Sequence, residues 1–140
     1  MTPDISFKRA DHADAETLNT IGSATFLESY IELIPGPDLI KHCQTQHSVE
    51  VYQHYLGQSD PRYACWIASY TETGAPIGYA LTCPPELPIK TSETDIELKR
   101  IYVFSRFHGT GAGTRTPICA PADWCLQRAA GRSRYLAGLR

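Results

Sequence analysis

Apolar and polar positions alternate along Ile5–Arg9 (ISFKR), which predicts a short strand. The period then lengthens to that of a helix. Ala15, Leu18, Ile21, Thr25 and Phe26 fall on one face of a helix over Ala13–Tyr30, with Asp11 as its N-cap. Pro35-Gly36-Pro37 ends it. A short helix over Asp38–Gln44 is apolar at Leu39, Ile40 and Cys43, and Ser48 caps a third carrying Val51, Tyr52, Tyr55 and Leu56 up to Gly57. The pattern next turns to strands. Tyr63–Tyr70 (YACWIASY) and Ile77–Cys83 (IGYALTC) flank a turn at Thr71–Pro76, where Gly74 can take positive φ, and so read as a hairpin. Pro84–Thr94 is a loop with three prolines, and Asp95–Phe104 is a further strand. Its alternation predicts Glu97, Lys99, Ile101 and Val103 on one face and Leu98, Arg100 and Tyr102 on the other. The order is one strand, three helices, three strands and then a glycine-rich turn, an α/β (α+β) pattern.

Composition bounds this pattern without altering it. The 140 residues fit a single domain, 1–140, and 42% hydrophobic with 20% charged residues excludes a disordered or coiled-coil chain. No apolar run is long enough to span a bilayer, and the N-terminal stretch shows no secretory h-region, so no membrane partner is expected. A net charge of −2 argues against nucleic acid as a partner. The five cysteines are odd in number and form no C-x-x-C pair, which reads as reduced thiols in a cytoplasmic protein. Cys65, Cys83 and Trp66 read as core. His42, His47 and His54 do not have metal-ligand spacing and read as solvated helix residues, so no metal is expected.

The stretch that carries chemistry is Ser105–Thr114, SRFHGTGAGT, with glycines at 109, 111 and 113 after a strong strand. Glycine lets backbone N–H groups approach an anion with no Cβ in the way, and a helix starting there would favour phosphate. Arg106 and His108 add donors. A flexible glycine loop is one alternative. A dinucleotide-binding G-x-G-x-x-G has a different third spacing and sits early in its fold, and a P-loop needs Gly-Lys before Ser/Thr, whereas Gly113 precedes Thr114.

Leu98-Lys99-Arg100-Ile101-Tyr102-Val103 followed by His108-Gly109-Thr110-Gly111-Ala112-Gly113 resembles the GNAT superfamily of acetyl-CoA-dependent N-acetyltransferases. Its pattern is a strand ending in an apolar-x-Val unit, then [Gln/Arg]-x-x-Gly-x-[Gly/Ala] at a helix start. Gly111 and Gly113 match the two glycines, and His108 stands where Gln or Arg is usual. The hairpin segment Gly74-Ala75-Pro76-Ile77-Gly78-Tyr79 agrees with it too, and Ala24–Ile40 looks most like the polyamine-acetyltransferase branch. The resemblance implies a mixed, mainly antiparallel sheet flanked by helices and acetyl-CoA as cosubstrate. It implies that Ile101, Tyr102 and Val103 pair with the pantetheine arm, and that His108, Gly109, Thr110, Gly111, Ala112, Gly113 and Thr114 hold the pyrophosphate. The acceptor it implies is a primary amine of a small molecule, such as a polyamine, with Glu28, Tyr30 and Glu32 near the amine cleft. A glutamate is frequent in the family where Lys99 stands here, so Glu97, two residues earlier, becomes the candidate general base.

The resemblance covers residues 5–113. Over 1–113 there are eight Lys and Arg against fourteen Asp and Glu, a balance of −6; over 114–140 there are five Arg against Asp123, a balance of +4. Pro117 and Pro121 fall where the family continues as a long helix, and each is costly in a helix interior. A locally altered segment over 114–122, for example from a frameshift, is therefore expected, and with it a truncated chain lacking the last helix and strands. Trp124–Ala130 could restart a helix and Tyr135–Leu139 begin a fifth strand. The family's thiolate-protonating tyrosine has no counterpart, since Tyr135 lies too early. An exposed sheet edge would then favour association, such as a homodimer. A non-catalytic remnant that at most binds CoA is the alternative function, and an unrelated nucleotide-binding module is a third.

Overall fold

The computed structural model describes residues 2–112 and the backbone of 135–137. Five strands form one sheet in chain order: β1 (Ile5–Arg9), β2 (Ala64–Tyr70), β3 (Ala75–Cys83), β4 (Ile96–Val103) and β5 (Tyr135–Ala137). β1 to β4 pair antiparallel, and β5 runs parallel to β4 over Ile96–Leu98. Three helices, α1 (Ala15–Tyr30), α2 (Gly36–Gln46) and α3 (Val49–Leu56), separate β1 from β2. The mixed, mainly antiparallel α/β class is what forms, and a fifth strand does begin at Tyr135. Gly113, Thr114 and the whole altered segment expected over 114–122 lie outside the described residues.

Local sequence accounts for most element ends. Asp11 Oδ1 accepts the Ala13 N–H at 2.9 Å, and Asp14 returns a carboxylate oxygen to the Asp11 N–H at 2.9 Å. This reciprocal cap winds His12–Asp14 as a tight 3-10 turn before α1 begins. The five residues expected on the apolar face of α1 are all buried, with Gly22 beside them. α2 starts at Gly36, because a proline in the first turn lacks only an N–H that would be unpaired anyway. Ser48 Oγ accepts the Val51 N–H at 3.2 Å and opens α3.

The main core lies between α1, α3 and the sheet: Leu18 and Ile21, Tyr52, Cys65 and Ile67, Tyr79 and Leu81. A smaller cluster on the other side of the sheet joins Ile5, Ala68 and Ile77 to Ala112. Burial pushes the Cys65 and Cys83 thiols up to about 12, as fits core cysteines. Trp66 is only half-buried, with the Arg9 guanidinium 6.0 Å above its ring. Among the described residues no helix is long and apolar enough to cross a membrane, and no group of three His, Cys, Asp or Glu is placed to hold a metal ion.

Candidate functional site

β4 departs from simple alternation. Leu81 pairs with Arg100, but Thr82 pairs with Leu98, so Lys99 is an extra residue in β4. Such a bulge puts two successive side chains on one face and reverses the parity beyond it. Lys99 and Arg100 accordingly both lie over the Tyr55 ring, at 5.5 and 6.0 Å. Glu97, paired with Cys83, shares their face, whereas Ile101 and Val103 pair with Ala80 and Gly78 on the other. The expected grouping of Glu97 and Lys99 with Ile101 and Val103 is therefore corrected: sequence alternation assumed an unbroken ladder.

Beyond the bulge, β4 runs close to β3. A Cβ on Gly78 would sit 2.6 Å from Tyr102 O and 2.9 Å from Val103 Cγ2, so only glycine permits this approach. Gly78→Ala is expected to cost about 1–3 kcal/mol by forcing the strands apart. Gly36→Ala, where a Cβ meets nothing within 4 Å, serves as the control and should leave the thermal midpoint nearly unchanged. Equal midpoints for the two variants would refute the close approach.

The glycine turn is built onto this strand end. Gly109 and Gly111 take φ of +77° and +84°. His108 Nε2 lies 2.8 Å from Val103 O and so donates to it, folding the ring back on β4. The start of the turn is tied to α1: Glu28 accepts the Ser105 N–H at 3.0 Å and its hydroxyl at 2.8 Å. That tie spans 77 residues and has no local signal in the sequence. Ala112 is 1% exposed, wedged against Ile5, Ala68 and Ile77. The result is a cavity of about 510 Å3 lined by Ile101, Val103, Phe107, His108, Gly109 and Gly111, with Ala112 at its base. Among the described residues β5 pairs with β4 only up to Leu98, so Ile101–Val103 has no strand partner on that side.

Behind β4 lies a buried polar cluster. The Tyr52 hydroxyl sits 2.8 Å from His47 Nδ1, 3.0 Å from the Tyr79 hydroxyl and 3.2 Å from an Arg100 N–H that donates to it. Arg100, 8% exposed, has no carboxylate partner among the described residues; its guanidinium lies over the Tyr52 ring at 5.6 Å. A weakly hydrated guanidinium tolerates such an aromatic setting better than an ammonium. Tyr102 extends the cluster, its ring stacked 6.1 Å from that of Tyr79, and burial raises its phenol. His47 is 1% exposed, not solvated as its place near a helix end suggested. Burial, then the charge of Arg100, pull its pKa down to about 3, and its Nε2 has no partner among the described residues. His42 stacks on Phe26 with centroids 3.9 Å apart and is half-buried, while His54 is exposed as expected.

The expected site residues thus divide. Ile101, Val103, His108, Gly109, Gly111 and Ala112 line one cavity, with Thr110 in the same turn. Tyr102 faces the polar cluster instead. Glu97 is 1% exposed, and its carboxylate accepts the Glu86 N–H at 2.6 Å, while Lys99 pairs with the Glu86 side chain. Glu28 is engaged by Ser105, and among the described residues no side-chain hydrogen bond holds Glu32 in place.

No family model matches the chain. An uncharacterised N-acetyltransferase of Mycobacterium tuberculosis (strain H37Rv) is 26% identical over 114 residues, which span 79% of this chain and 67% of that protein. Among solved structures, the PaiA N-acetyltransferase of Thermoplasma acidophilum in complex with coenzyme A superposes with a TM-score of 0.70. It is 15% identical, over 94% of this chain and 78% of that one. A GCN5-related N-acetyltransferase of Ralstonia eutropha JMP134 gives 0.66 at 16% identity, over 97% and 84%. The aminoglycoside N-acetyltransferase AAC(6')-Iy with CoA gives 0.61 at 14%, over 100% and 80%. A four-stranded antiparallel run, a close β3–β4 approach at Gly78 and a glycine turn after β4 are therefore set in the fold of the GCN5-related (GNAT) N-acetyltransferases.

Proposed function

We propose that this chain is an acetyl-CoA-dependent N-acetyltransferase acting on a primary amine of a small molecule. The observation that carries this reading is the juxtaposition of a strand edge at Ile101–Val103, without a strand partner among the described residues, with the positive-φ glycine turn across one cavity. The residues suit the cosubstrate. A Cβ at Gly109 would stand in open space, so without one the backbone lies bare to a phosphate, and the strand edge offers peptide groups to an amide-bearing arm. Acetyl-CoA supplies an activated thioester that an amine attacks directly. Ile101, Tyr102 and Val103 would bind the pantetheine arm as an added strand, and an N–H of β4 would stabilise the oxyanion. Gly109, Thr110 and Gly111, with Ala112, Gly113 and Thr114, would hold the pyrophosphate.

Glu97 is the proposed base, acting directly or through water on the amine proton. Its bond to the Glu86 amide gives it a second, structural role. Glu97→Gln keeps the shape and removes the proton acceptor. A base predicts at least a tenfold fall in turnover and loss of the acid limb of the pH–rate profile. An unchanged profile with a lowered thermal midpoint would leave Glu97 as an anchor only. A polyamine is the acceptor to try first, although Glu28 is already committed to Ser105. Aminoglycosides come next, since fold neighbours include an aminoglycoside acetyltransferase in complex with sisomicin. Thiol release from acetyl-CoA with spermidine, sisomicin and amino acids tests the activity. CoA binding without release would select the non-catalytic alternative, and no CoA binding would sink the proposal.

A further inference from the structure

Acetylating a primary amine releases a proton that has to leave the site. At neutral pH the amine arrives as an ammonium. Its nitrogen loses two protons as the C–N bond forms and the C–S bond breaks. One proton ends on the departing thiolate, and one must reach solvent in every turnover. Glu97, the proposed base, is 1% exposed and cannot hand a proton to bulk water itself. Its carboxylate is met by Glu86, from the loop between β3 and β4, whose N–H donates to Glu97 Oε2 at 2.6 Å. The Glu86 side chain is 40% exposed, and its carboxylate accepts a hydrogen bond from Lys99 Nζ. Lys99 is itself only 12% exposed, with its Nζ 5.5 Å from the centre of the Tyr55 ring. One residue thus touches the buried carboxylate through its backbone and reaches solvent through its side chain.

This inference rests on the acetyltransferase reading with Glu97 as the base. We propose that Glu86 carries the proton from Glu97 to solvent, across a bridging water. The Glu86 amide and carboxylate belong to one residue, so covalent reach keeps the two carboxylates close enough for water to join them. Lys99 holds the Glu86 carboxylate against β4 instead of letting it sweep through solvent. Cys83 pairs with Glu97 in the ladder and senses both acids: after burial, the Glu86 charge is the next cause that raises its thiol, and Glu97 adds to it. The groups that face the pair are Lys99 from β4, Cys83 from β3, Tyr55 from α3 and Tyr63 just ahead of β2. Cys83, pushed up to about 12, and Tyr63, raised by burial, keep their protons at neutral pH, which leaves the carboxylates to carry this one. Glu86 acts through Glu97 and touches neither substrate.

Steady-state thiol release by the full chain tests this, with whichever of spermidine, sisomicin and the amino acids is turned over, in dilute buffer and with added imidazole. Glu86→Gln keeps the backbone N–H on Glu97 and removes the carrier. In dilute buffer its kcat should fall about tenfold with the KM for the amine little changed, and imidazole, a diffusible proton carrier, should restore it. Glu86→Asp keeps a carboxylate and should retain most of the wild-type kcat. Glu97→Gln should not be restored by imidazole, because the group lost there faces the amine. A wild-type kcat for Glu86→Gln in dilute buffer, or a loss that imidazole leaves in place, would overturn the relay while the acetyltransferase reading stands. Unchanged turnover in Glu97→Gln would overturn it as well, since the relay then has no proton to carry. A wild type that turns over none of these amines would overturn both.

Discussion

Gly22→Ala should lower the stability of this protein by about 3 kcal/mol, although the same change in an ordinary helix interior gains about 1 kcal/mol. The reversal comes from what α1 is pressed against. A Cβ at Gly22 would stand 2.2 Å from the Tyr52 hydroxyl, 2.7 Å from His47 Nδ1 and 3.1 Å from Tyr52 Cζ. None of these atoms can retreat: Tyr52 is 0% exposed and its oxygen is shared by His47, Tyr79 and Arg100. The helix must lift off the sheet, or the tyrosine must leave its partners. Urea unfolding of Gly22→Ala, Tyr52→Phe and the double variant separates the causes. Tyr52→Phe alone should cost about 1–3 kcal/mol, since it leaves a buried guanidinium and imidazole without their shared oxygen. In the double variant the closest clash is gone, so adding Ala should cost clearly less than in the wild type. A stabilised Gly22→Ala single variant would show that α1 does not pack on Tyr52 this closely.

The second large effect is acid destabilisation through His47. Its folded pKa of about 3 lies well below the ordinary 6.5, because burial and the nearby Arg100 charge disfavour the imidazolium. Between those two values the unfolded chain binds a proton that the folded chain refuses. Stability is therefore fully present above pH 6.5 and declines as pH falls towards 3, by about 2 kcal/mol at pH 5 from this group alone. His42 acts in the same sense, its pKa being lowered by burial and then by Arg100. His47→Gln should flatten the fall in unfolding free energy between about pH 6.5 and 5, even if the variant is less stable at neutral pH. If it keeps the wild-type slope, the imidazole is not the group that titrates.

These two expectations, and the geometry around β4, show where sequence patterns stop being informative. The start of α1 is legible because Asp11 and Asp14 are three residues apart and cap each other. The buried face of α1 is legible because helical periodicity is a property of the chain itself. The glycine turn after β4 is legible for the same reason: its glycines lie close together, and two of them do take left-handed φ. The strand faces of β4 are not legible, since the bulge at Lys99 exists only in register with β3. His47 looks like any polar residue at a helix end until α1 and α3 close over it. Glu28 looks like a solvated acid until Ser105, 77 residues later, arrives to meet it.

By itself, then, the sequence determined which segments become helix and strand, their order, their caps and the glycine turn after β4. Each of these depends on residues within a turn or two of one another, where short-range sterics and hydrogen bonding dominate. Only the tertiary structure decided which face Arg100 occupies and which carboxylates are already held by amides. Those outcomes depend on which surfaces meet and in what register, and burial then sets the cost of every charge left between them.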